Sequence, residues 1–192
     1  DNVKRDQNQF RIFSGDFSDM FTSCTQTTLR KALFRIVELC FRNSTKTHVA
    51  VNGRRVWYTN RYDETPQTYT KEDILRLIDF VIENNYVSFI GYNVHQKSGV
   101  PMGLPSAPKM IDLCMSLHEY EFLTNPANRD IALQICRSSC RYVDDFCSMA
   151  NYNLIDVIQD IYPRELTLVV TSSPTHLTFL DVDLRIQNNA IS

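Results

Sequence analysis

Two adjacent aspartates, Asp144 and Asp145, stand in the segment Arg141-Tyr-Val-Asp-Asp-Phe-Cys-Ser-Met149. Apolar or aromatic residues lie on both sides of the pair, which predicts two short strands that meet at a tight turn with the acids at its tip. Neighbouring carboxylates repel each other, and a half-buried hairpin makes that repulsion costly. A bound Mg²⁺ ion removes the cost, because this ion is held by one or two carboxylates plus substrate phosphates. For an isolated pair, a solvated Asp-Asp turn is the alternative.

A third acid has a similar setting far upstream. Asp16 follows a short apolar segment and precedes residues that can begin a helix, with Ser18 or Asp19 as its cap. If the two predicted strands lie side by side, Asp16 faces Asp144. Carboxylates on neighbouring strands can bridge two metal ions about 4 Å apart, the arrangement that polymerases and nucleases use for in-line phosphoryl displacement. A role for Asp16 in a helix cap is the alternative.

The rest of the chain predicts the elements that must position these acids. Apolar residues at helical spacing predict helices over about residues 27–42, 70–84, 107–122, 126–140 and 154–161. The remaining apolar segments predict a hairpin over residues 47–58, around Asn52-Gly53, and strands over residues 86–95, 166–170 and 176–186. The helix over residues 70–84 is broadly apolar, which predicts that much of its surface is buried. The predicted fold is α+β, an antiparallel sheet that carries the acids and is backed by helices, in a single domain over residues 1–192.

Five segments, in order along the chain, resemble the motifs of reverse transcriptases. Asp16-Phe-Ser-Asp-Met-Phe21 resembles motif A, and Tyr142-Val-Asp-Asp145 resembles the catalytic hairpin, motif C. Gln96-Lys-Ser-Gly-Val-Pro-Met-Gly103 resembles motif B. The region after motif C is represented by two segments, Ile161-Tyr-Pro-Arg-Glu-Leu-Thr-Leu168 and Thr178-Phe-Leu-Asp-Val-Asp-Leu-Arg-Ile186. Together the segments look closest to the Penelope-like retroelement reverse transcriptases and their relatives.

This resemblance implies the palm of an RNA-directed DNA polymerase, with fingers and thumb largely missing. The implied reaction is two-metal nucleotidyl transfer to a primer 3′-hydroxyl, with two Mg²⁺ ions as cofactors and Mn²⁺ as a substitute. Asp16, Asp144 and Asp145 would be the catalytic acids and metal ligands, joined by the backbone carbonyl of Phe17. The residues implied in nucleotide or template binding are Phe21, Gln96, Gly99, Met102, Gly103 and Tyr142.

Phe21 has the most specific of these implied roles. Its ring would lie below the sugar and exclude a 2′-hydroxyl by its bulk, which favours deoxynucleotides. The implied partners are an RNA template, a DNA or RNA primer and deoxynucleoside triphosphates. Further protein segments or chains would supply the fingers and thumb.

The charge of the chain departs from this pattern. A net charge of −2 is unusual for a nucleic-acid enzyme, because phosphate contacts call for Lys and Arg. The family's basic fingers residues have no counterpart, and no lysine follows motif C, where Arg164 and His176 are the nearest cations. One alternative is therefore a catalytically silent structural component of a larger ribonucleoprotein. Another alternative is an RNA-dependent RNA polymerase, which the residue types at Val143 and Phe21 disfavour.

Two further features concern surface and compartment. The predicted hairpin brings Arg54, Arg55 and Trp57 together, a ribbon that could touch a nucleic-acid backbone or be merely solvated. Six cysteines show no C-x-x-C spacing and are interpreted as reduced, mostly buried thiols of an intracellular protein. The compartment stays open, with the nucleus or an organelle among the alternatives. With no signal peptide and no run of about 18 apolar residues, neither secretion nor a membrane span is predicted.

Overall fold

A computed structural model of the chain describes residues 11–42, 44–62, 67–150, 155–173, 176–187 and 190–191. Its strands are β1 (Arg11–Ser18), β2 (His48–Asn52), β3 (Arg55–Thr59), β4 (Gln67–Thr70), β5 (Tyr86–Phe89), β6 (Tyr92–His95), β7 (Ser139–Tyr142), β8 (Asp145–Ala150), β9 (Thr167–Ser173), β10 (His176–Phe179), β11 (Val182–Gln187) and β12 (Ala190–Ile191). Its helices are α1 (Met20–Ser23), α2 (Gln26–Arg42), α3 (Lys71–Glu83), α4 (Ala107–Thr124), α5 (Arg129–Ser138) and α6 (Ile155–Ile161), with a 3₁₀ turn at Pro126–Asn128.

The chain divides into two compact units, each with helices and antiparallel strands. The first comprises residues 1–23 and 118–192, and the second is the continuous segment 24–117. This mixture of helices and antiparallel sheets confirms the predicted α+β class. The extent of the predicted single domain stays a prediction.

The first unit is built on a four-stranded antiparallel sheet in the order β7-β8-β1-β9. The strand β1 pairs with β8 on one side and with β9 on the other, and its residues Ile12, Phe13 and Phe17 are buried. Gly15 lies where β1 approaches β9 closely, since a Cβ there would stand 2.7 Å from Cδ1 of Leu168. Pairing on both edges and burial of its apolar side chains therefore hold β1, and Asp16 with it, in one register.

A hairpin of β10 and β11 packs against this sheet. Leu177 joins Ile12 and Cys147 in a buried cluster, and Phe179 and Leu184 pack against it. The prediction of one strand over residues 176–186 is therefore wrong. The chain reverses at Leu180 and Asp181, whose φ angles of 46° and 63° are the left-handed values that a two-residue hairpin connection requires.

The second unit contains a three-stranded antiparallel sheet in the order β3-β2-β4 and the separate hairpin β5-β6. The predicted hairpin near residues 47–58 is present as β2 and β3, with Asn52 opposite Arg55. The prediction of a single strand over residues 86–95 is wrong, because the chain turns back at Ile90 and Gly91, both with positive φ.

The helix α3 begins where the sequence predicted and is more exposed than predicted. Thr70 caps it: its hydroxyl accepts a hydrogen bond from the Asp73 backbone N–H at 3.1 Å, and the Asp73 carboxylate accepts one from the Thr70 N–H at 2.9 Å. An ion pair between Nε of Arg30 on α2 and Oδ1 of Asp79, at 2.6 Å, connects α3 to α2. Within this helix Ile82 is buried, whereas 64% of Phe80 is exposed, so the prediction of broad burial is wrong.

The six cysteines are all free thiols, as the sequence predicted. The prediction that most are buried holds for half of them: Cys24, Cys114 and Cys147 are buried, and Cys40, Cys136 and Cys140 are exposed. The predicted helix over residues 126–140 ends at Ser138, so Cys140 lies on β7. Within the described ranges, no helix combines the length and apolar character needed to cross a bilayer.

Candidate active site

In the hairpin of β7 and β8, the two adjacent aspartates Asp144 and Asp145 occupy different positions, one in the turn and one in a strand. Its last pair is Tyr142 with Asp145, so Val143 and Asp144 are the two residues of the turn. Val143 has a φ of 55°, a left-handed conformation that is strained for a β-branched residue. Asp144 thus lies at the tip, as predicted, whereas Asp145 is the first residue of β8.

The strand β1 brings the third acid to the same end of the sheet. Asp16 is the register partner of Asp145, and the Phe17 N–H donates a hydrogen bond to the Asp144 carbonyl at 3.1 Å. The predicted side-by-side strands are therefore present, but Asp16 faces Asp145 across the ladder and not Asp144. Residues directly opposite in an antiparallel pair have Cβ atoms about 5 Å apart. Backbone pairing alone therefore holds these carboxylates near each other.

The electrostatics of this cluster are unfavourable without a cation. Partial desolvation raises the pKa of Asp16, and the negative charges of Asp144, Asp145 and Asp19 raise it further. In the part of the chain that the structure describes, no Lys, Arg or His forms an ion pair with Asp16, Asp144 or Asp145. A divalent cation would supply the missing positive charge, and hard carboxylate oxygens are the donors that Mg²⁺ prefers.

The aspartates do not by themselves form a closed metal cage. Over the described residues, no group of three or more His, Cys, Asp and Glu side chains could hold a metal ion. A magnesium ion at Asp16 and Asp144 would need oxygens from water or substrate as well. That is the usual mode for this ion, which keeps several waters and takes phosphate oxygens beside one or two carboxylates.

Replacing Asp16 by Asn should stabilise the chain in the absence of divalent cations. A carboxyl whose folded pKa is raised destabilises the fold once it ionises, so the stability is higher below its pKa and falls as pH rises through it. Asp16→Asn should raise the Tm at pH 7 by up to about 4 °C, because an exposed charge contributes at most about 1 kcal/mol.

The pH dependence separates this effect from a general one. The gain should vanish at pH 3, below the ordinary carboxyl pKa of 3.8, because Asp16 is then protonated and, like asparagine, carries no charge. Thermal melts at the two pH values measure it. Asp160→Asn, an exposed carboxyl on α6, is the matched control and should show no such pH-dependent gain. A Tm at pH 7 below that of the unmodified chain would contradict the repulsion.

A buried arginine braces the turn that carries Asp144. The Arg141 side chain is 7% exposed, and its Nη1 donates a hydrogen bond to the Val143 carbonyl at 2.7 Å. Its Nε and Nη2 both donate to the carboxylate of Glu119 on α4. Such a two-pronged charge-assisted contact fixes geometry as well as contributing energy. The side chain of Arg141 therefore fixes the strained turn, and Glu119 of α4 fixes Arg141 in turn.

Tyr162 completes this network and links it to β1. Its hydroxyl donates to Oε1 of Glu119 at 2.7 Å, and its ring meets Phe17 edge-on with centroids 4.7 Å apart. Burial raises the pKa of the Tyr162 hydroxyl, and the neighbouring Glu119 raises it further, so the hydroxyl keeps the proton that it donates to Glu119. Sequence reasoning missed this network, because Glu119 and Arg141 look like ordinary helix and strand charges. The one available signal was the position of Arg141 directly before the Tyr-Val-Asp-Asp segment.

Two other predicted site residues lie in the first unit. Phe21 is half-buried in the short helix α1, which follows β1 directly. Tyr142 is 61% exposed at the end of β7, opposite Asp145. Both are therefore attached to the elements that carry the acids, Phe21 through β1 and Tyr142 through the hairpin. Their roles in nucleotide binding stay predictions.

The predicted motif B residues lie in the second unit, in a loop with a defined shape. Gln96 uses its side chain internally, since its Nε2 donates to the Ser98 carbonyl at 2.8 Å. Gly99 is buried and has a φ of 68°, a conformation that glycine adopts without strain. Met102 is exposed, and no atom lies within 4 Å of where a Cβ of Gly103 would stand. Contact of this loop with a nucleotide or template stays a prediction.

Solved telomerase structures share this fold. The apo telomerase from Candida tropicalis matches with a TM-score of 0.65 at 15% identity, over 95% of this chain and 32% of that one. Telomerase from Candida albicans, in complex with the TWJ fragment of telomeric RNA, matches with a TM-score of 0.60 at 16% identity, over 95% of this chain and 31% of that one. The Candida tropicalis enzyme in complex with the same RNA fragment gives a TM-score of 0.62 at 14% identity, over 99% of this chain and 31% of that one.

At these identities the likeness establishes the fold alone. The chain has a reverse-transcriptase-like fold, and it spans about a third of the length of the telomerase chains that it matches. No family model matches the chain, and no curated protein sequence does either. The general resemblance to reverse transcriptases is thereby confirmed at the level of fold, while the closeness to Penelope-like elements stays a prediction.

Proposed function

We propose that this chain carries the catalytic acids of an RNA-directed DNA polymerase, which extends a primer 3′-hydroxyl with deoxynucleoside triphosphates. The observation that supports it most is the pairing of Asp16 with Asp145, beside a turn occupied by Asp144. Three carboxylates at one end of an antiparallel sheet, with no cationic partner among the residues that the structure describes, are suited to hold metal ions for phosphoryl transfer. The reverse-transcriptase-like fold supports the same reaction class.

The residues of the chain have separate tasks in this proposal. Asp16 and Asp144 would hold two Mg²⁺ ions, which Mn²⁺ could replace, with Asp145 as an auxiliary acid and the Phe17 carbonyl as a further oxygen donor. When bound, such ions neutralise the charge that develops on the transferred phosphate. The paired strands β1 and β8 keep the donors at a fixed separation, so little reorganisation accompanies the reaction.

Selection of the nucleotide and of the template strand falls to residues around the acids and in the motif B loop. Phe21 limits the space at the sugar 2′ position, so deoxynucleotides are preferred. Exposed Tyr142 and Met102 offer apolar surface to a base. The glycines and the internally bonded Gln96 shape a loop whose backbone a nucleotide can approach closely. The proposed contact set is Phe21, Gln96, Gly99, Met102, Gly103 and Tyr142.

The family and partners follow from the same proposal. The order of the five motifs supports a place among the Penelope-like reverse transcriptases and their relatives. An RNA template and a DNA or RNA primer are the proposed nucleic-acid partners, and two of the similar telomerase structures contain a fragment of telomeric RNA. Further protein segments or chains would supply the fingers and thumb, which hold the primer–template by phosphate contacts.

Primer extension tests this function directly. The complete polypeptide encoded by the gene, given an RNA template, a primer and deoxynucleotides, should extend the primer in Mg²⁺ or Mn²⁺ and stop when the metal is chelated. Preference for ribonucleotides would point to an RNA-dependent RNA polymerase instead. No extension with either metal and either nucleotide would favour a catalytically silent component, the candidate that the net charge of −2 favours.

A further inference from the structure

The hairpin of β2 and β3 forms a second exposed surface, in the second unit, which the proposed catalytic site does not use. In its sheet β3 is an edge strand, since it pairs with β2 and the order is β3-β2-β4. Four successive residues of β3 are exposed, including Arg55, Trp57 and Tyr58. An exposed edge strand with large apolar side chains invites association, so this hairpin is a candidate interaction surface.

The charge of this surface is opposite to that of the whole chain. Residues 44–62 contain no Asp or Glu, although the chain has a net charge of −2. They carry Lys46, Arg54, Arg55 and Arg61, which are all exposed. Across the described residues, none of these four forms an ion pair with a carboxylate. Arg54 and Arg55 lie together at the turn of the hairpin, and adjacent exposed cations favour a polyanionic partner.

The aromatic side chains narrow the choice of polyanion. Arg55 and Trp57 are two positions apart on β3, so they point to the same face of the sheet. Trp57 is 41% exposed, which leaves part of its indole ring available for stacking. Tyr58 points to the opposite face, where its ring meets Phe41 of α2 with centroids 5.9 Å apart. Phosphate-binding arginines beside an open aromatic ring are the combination by which proteins hold single-stranded nucleic acid.

We propose that the β2–β3 hairpin binds single-stranded RNA. Arg54 and Arg55 contact successive phosphates, and Trp57 stacks on a base. The choice of RNA rests on the proposed function, because an enzyme that copies RNA must hold the template strand that is still unpaired. The surface is separate in sequence from the catalytic acids, and its binding requires neither metal nor nucleotide.

The single tryptophan of the chain gives a direct measurement. Titration of this 192-residue chain with an unstructured oligouridylate of about 12 nucleotides, without metal, should quench the fluorescence of Trp57, since stacking brings a base onto its ring. The quenching should weaken with salt. For Arg54→Gln/Arg55→Gln, the slope of log affinity against log salt should fall by about 1.4, or about 0.7 for each lost phosphate contact.

Matched variants separate this surface from charge in general. Arg129→Gln/Arg137→Gln removes the same charge from α5, where both residues are exposed, and should leave the affinity nearly unchanged. With fluorescently labelled RNA, Trp57→Ala should weaken binding about tenfold, whereas Trp57→Phe should retain most of the affinity because an aromatic ring remains. Circular dichroism of each variant should match that of the unmodified chain, which establishes that the variant is folded.

Several outcomes would overturn the assignment. These are RNA binding without quenching, an equal loss in the two double-arginine variants, tighter binding of single-stranded DNA than of RNA, or equal quenching by polyglutamate, which would assign the surface to an acidic protein. The result is also separable from the proposed function. Quenching without polymerase activity would contradict the proposed polymerase function and support the RNA-binding surface. Polymerase activity without quenching would support the polymerase function and contradict the RNA-binding surface.

Discussion

Asp144→Asn in the complete polypeptide should reduce nucleotide incorporation at least about a thousandfold. Asparagine keeps the volume of aspartate and removes the charge that would hold a metal ion. Bound metal contributes several kcal/mol of transition-state stabilisation, and each 1.36 kcal/mol is a factor of ten in rate. The fold should persist, because the Asp144 contact to Phe17 uses a backbone carbonyl, which the substitution leaves in place.

Single-turnover primer extension at saturating template measures this effect, with template affinity determined separately. Asp160→Asn is the matched control, because it makes the same substitution at an exposed position on α6, and it should retain full activity. If Asp144→Asn extends primers within tenfold of the unmodified protein, Asp144 is not a metal ligand and the proposed site is wrong.

Arg141→Met should lower the free energy of unfolding by about 3 kcal/mol. Removal of one partner of a buried ion pair costs about 3–5 kcal/mol, and Glu119, at 28% exposure, is solvated enough to place the cost at the lower end. The Val143 carbonyl also loses its hydrogen bond from Arg141, so the turn is released. Primer extension should therefore fall together with stability.

Urea unfolding of the single and double variants measures these costs. Arg141→Met/Glu119→Gln should recover part of the loss, because the carboxylate no longer stands without its partner. Arg137→Met, at an exposed position in the last turn of α5, should change the stability by less than about 0.5 kcal/mol. A similar small change for Arg141→Met would mean that the network does not hold the turn.

The convergence of the three acids could be predicted from the sequence, and their register could not. Apolar residues on both sides of Asp144 and before Asp16 predict strands, and the motif order predicts that these strands are neighbours. The register depends on which residues form the turn. Two residues, Val143 and Asp144, occupy it, which makes Asp145 the first residue of β8. The pairing of β8 with β1 then sets Asp145 opposite Asp16. Neither β-branched valine nor an acidic pair specifies a two-residue turn by itself.

The two missed hairpins have the same physical origin. Both turns place a bulky apolar residue in the left-handed region, Ile90 in one and Leu180 in the other. Such residues are poor turn signals, because a side chain makes this conformation unfavourable. Apolar residues alternate with polar ones on both sides of each turn, and only the phase of the alternation changes there, so the sequence pattern resembles one longer strand. Packing and pairing across each hairpin select the turn, and neither is visible in local sequence.

The place of β1 between β8 and β9 also sets the order in which the acids can come together. The strand is made before the second unit, yet both of its pairing partners follow that unit in the chain. The hairpin of β7 and β8 joins neighbours in sequence, whereas β1 must wait through the closure of a long loop, which is slow to form. The uninterrupted second unit can fold during that wait. Assembly of the three carboxylates therefore follows synthesis of the whole second unit, and a ribosome that stalls before β9 leaves β1 without one of its two partners.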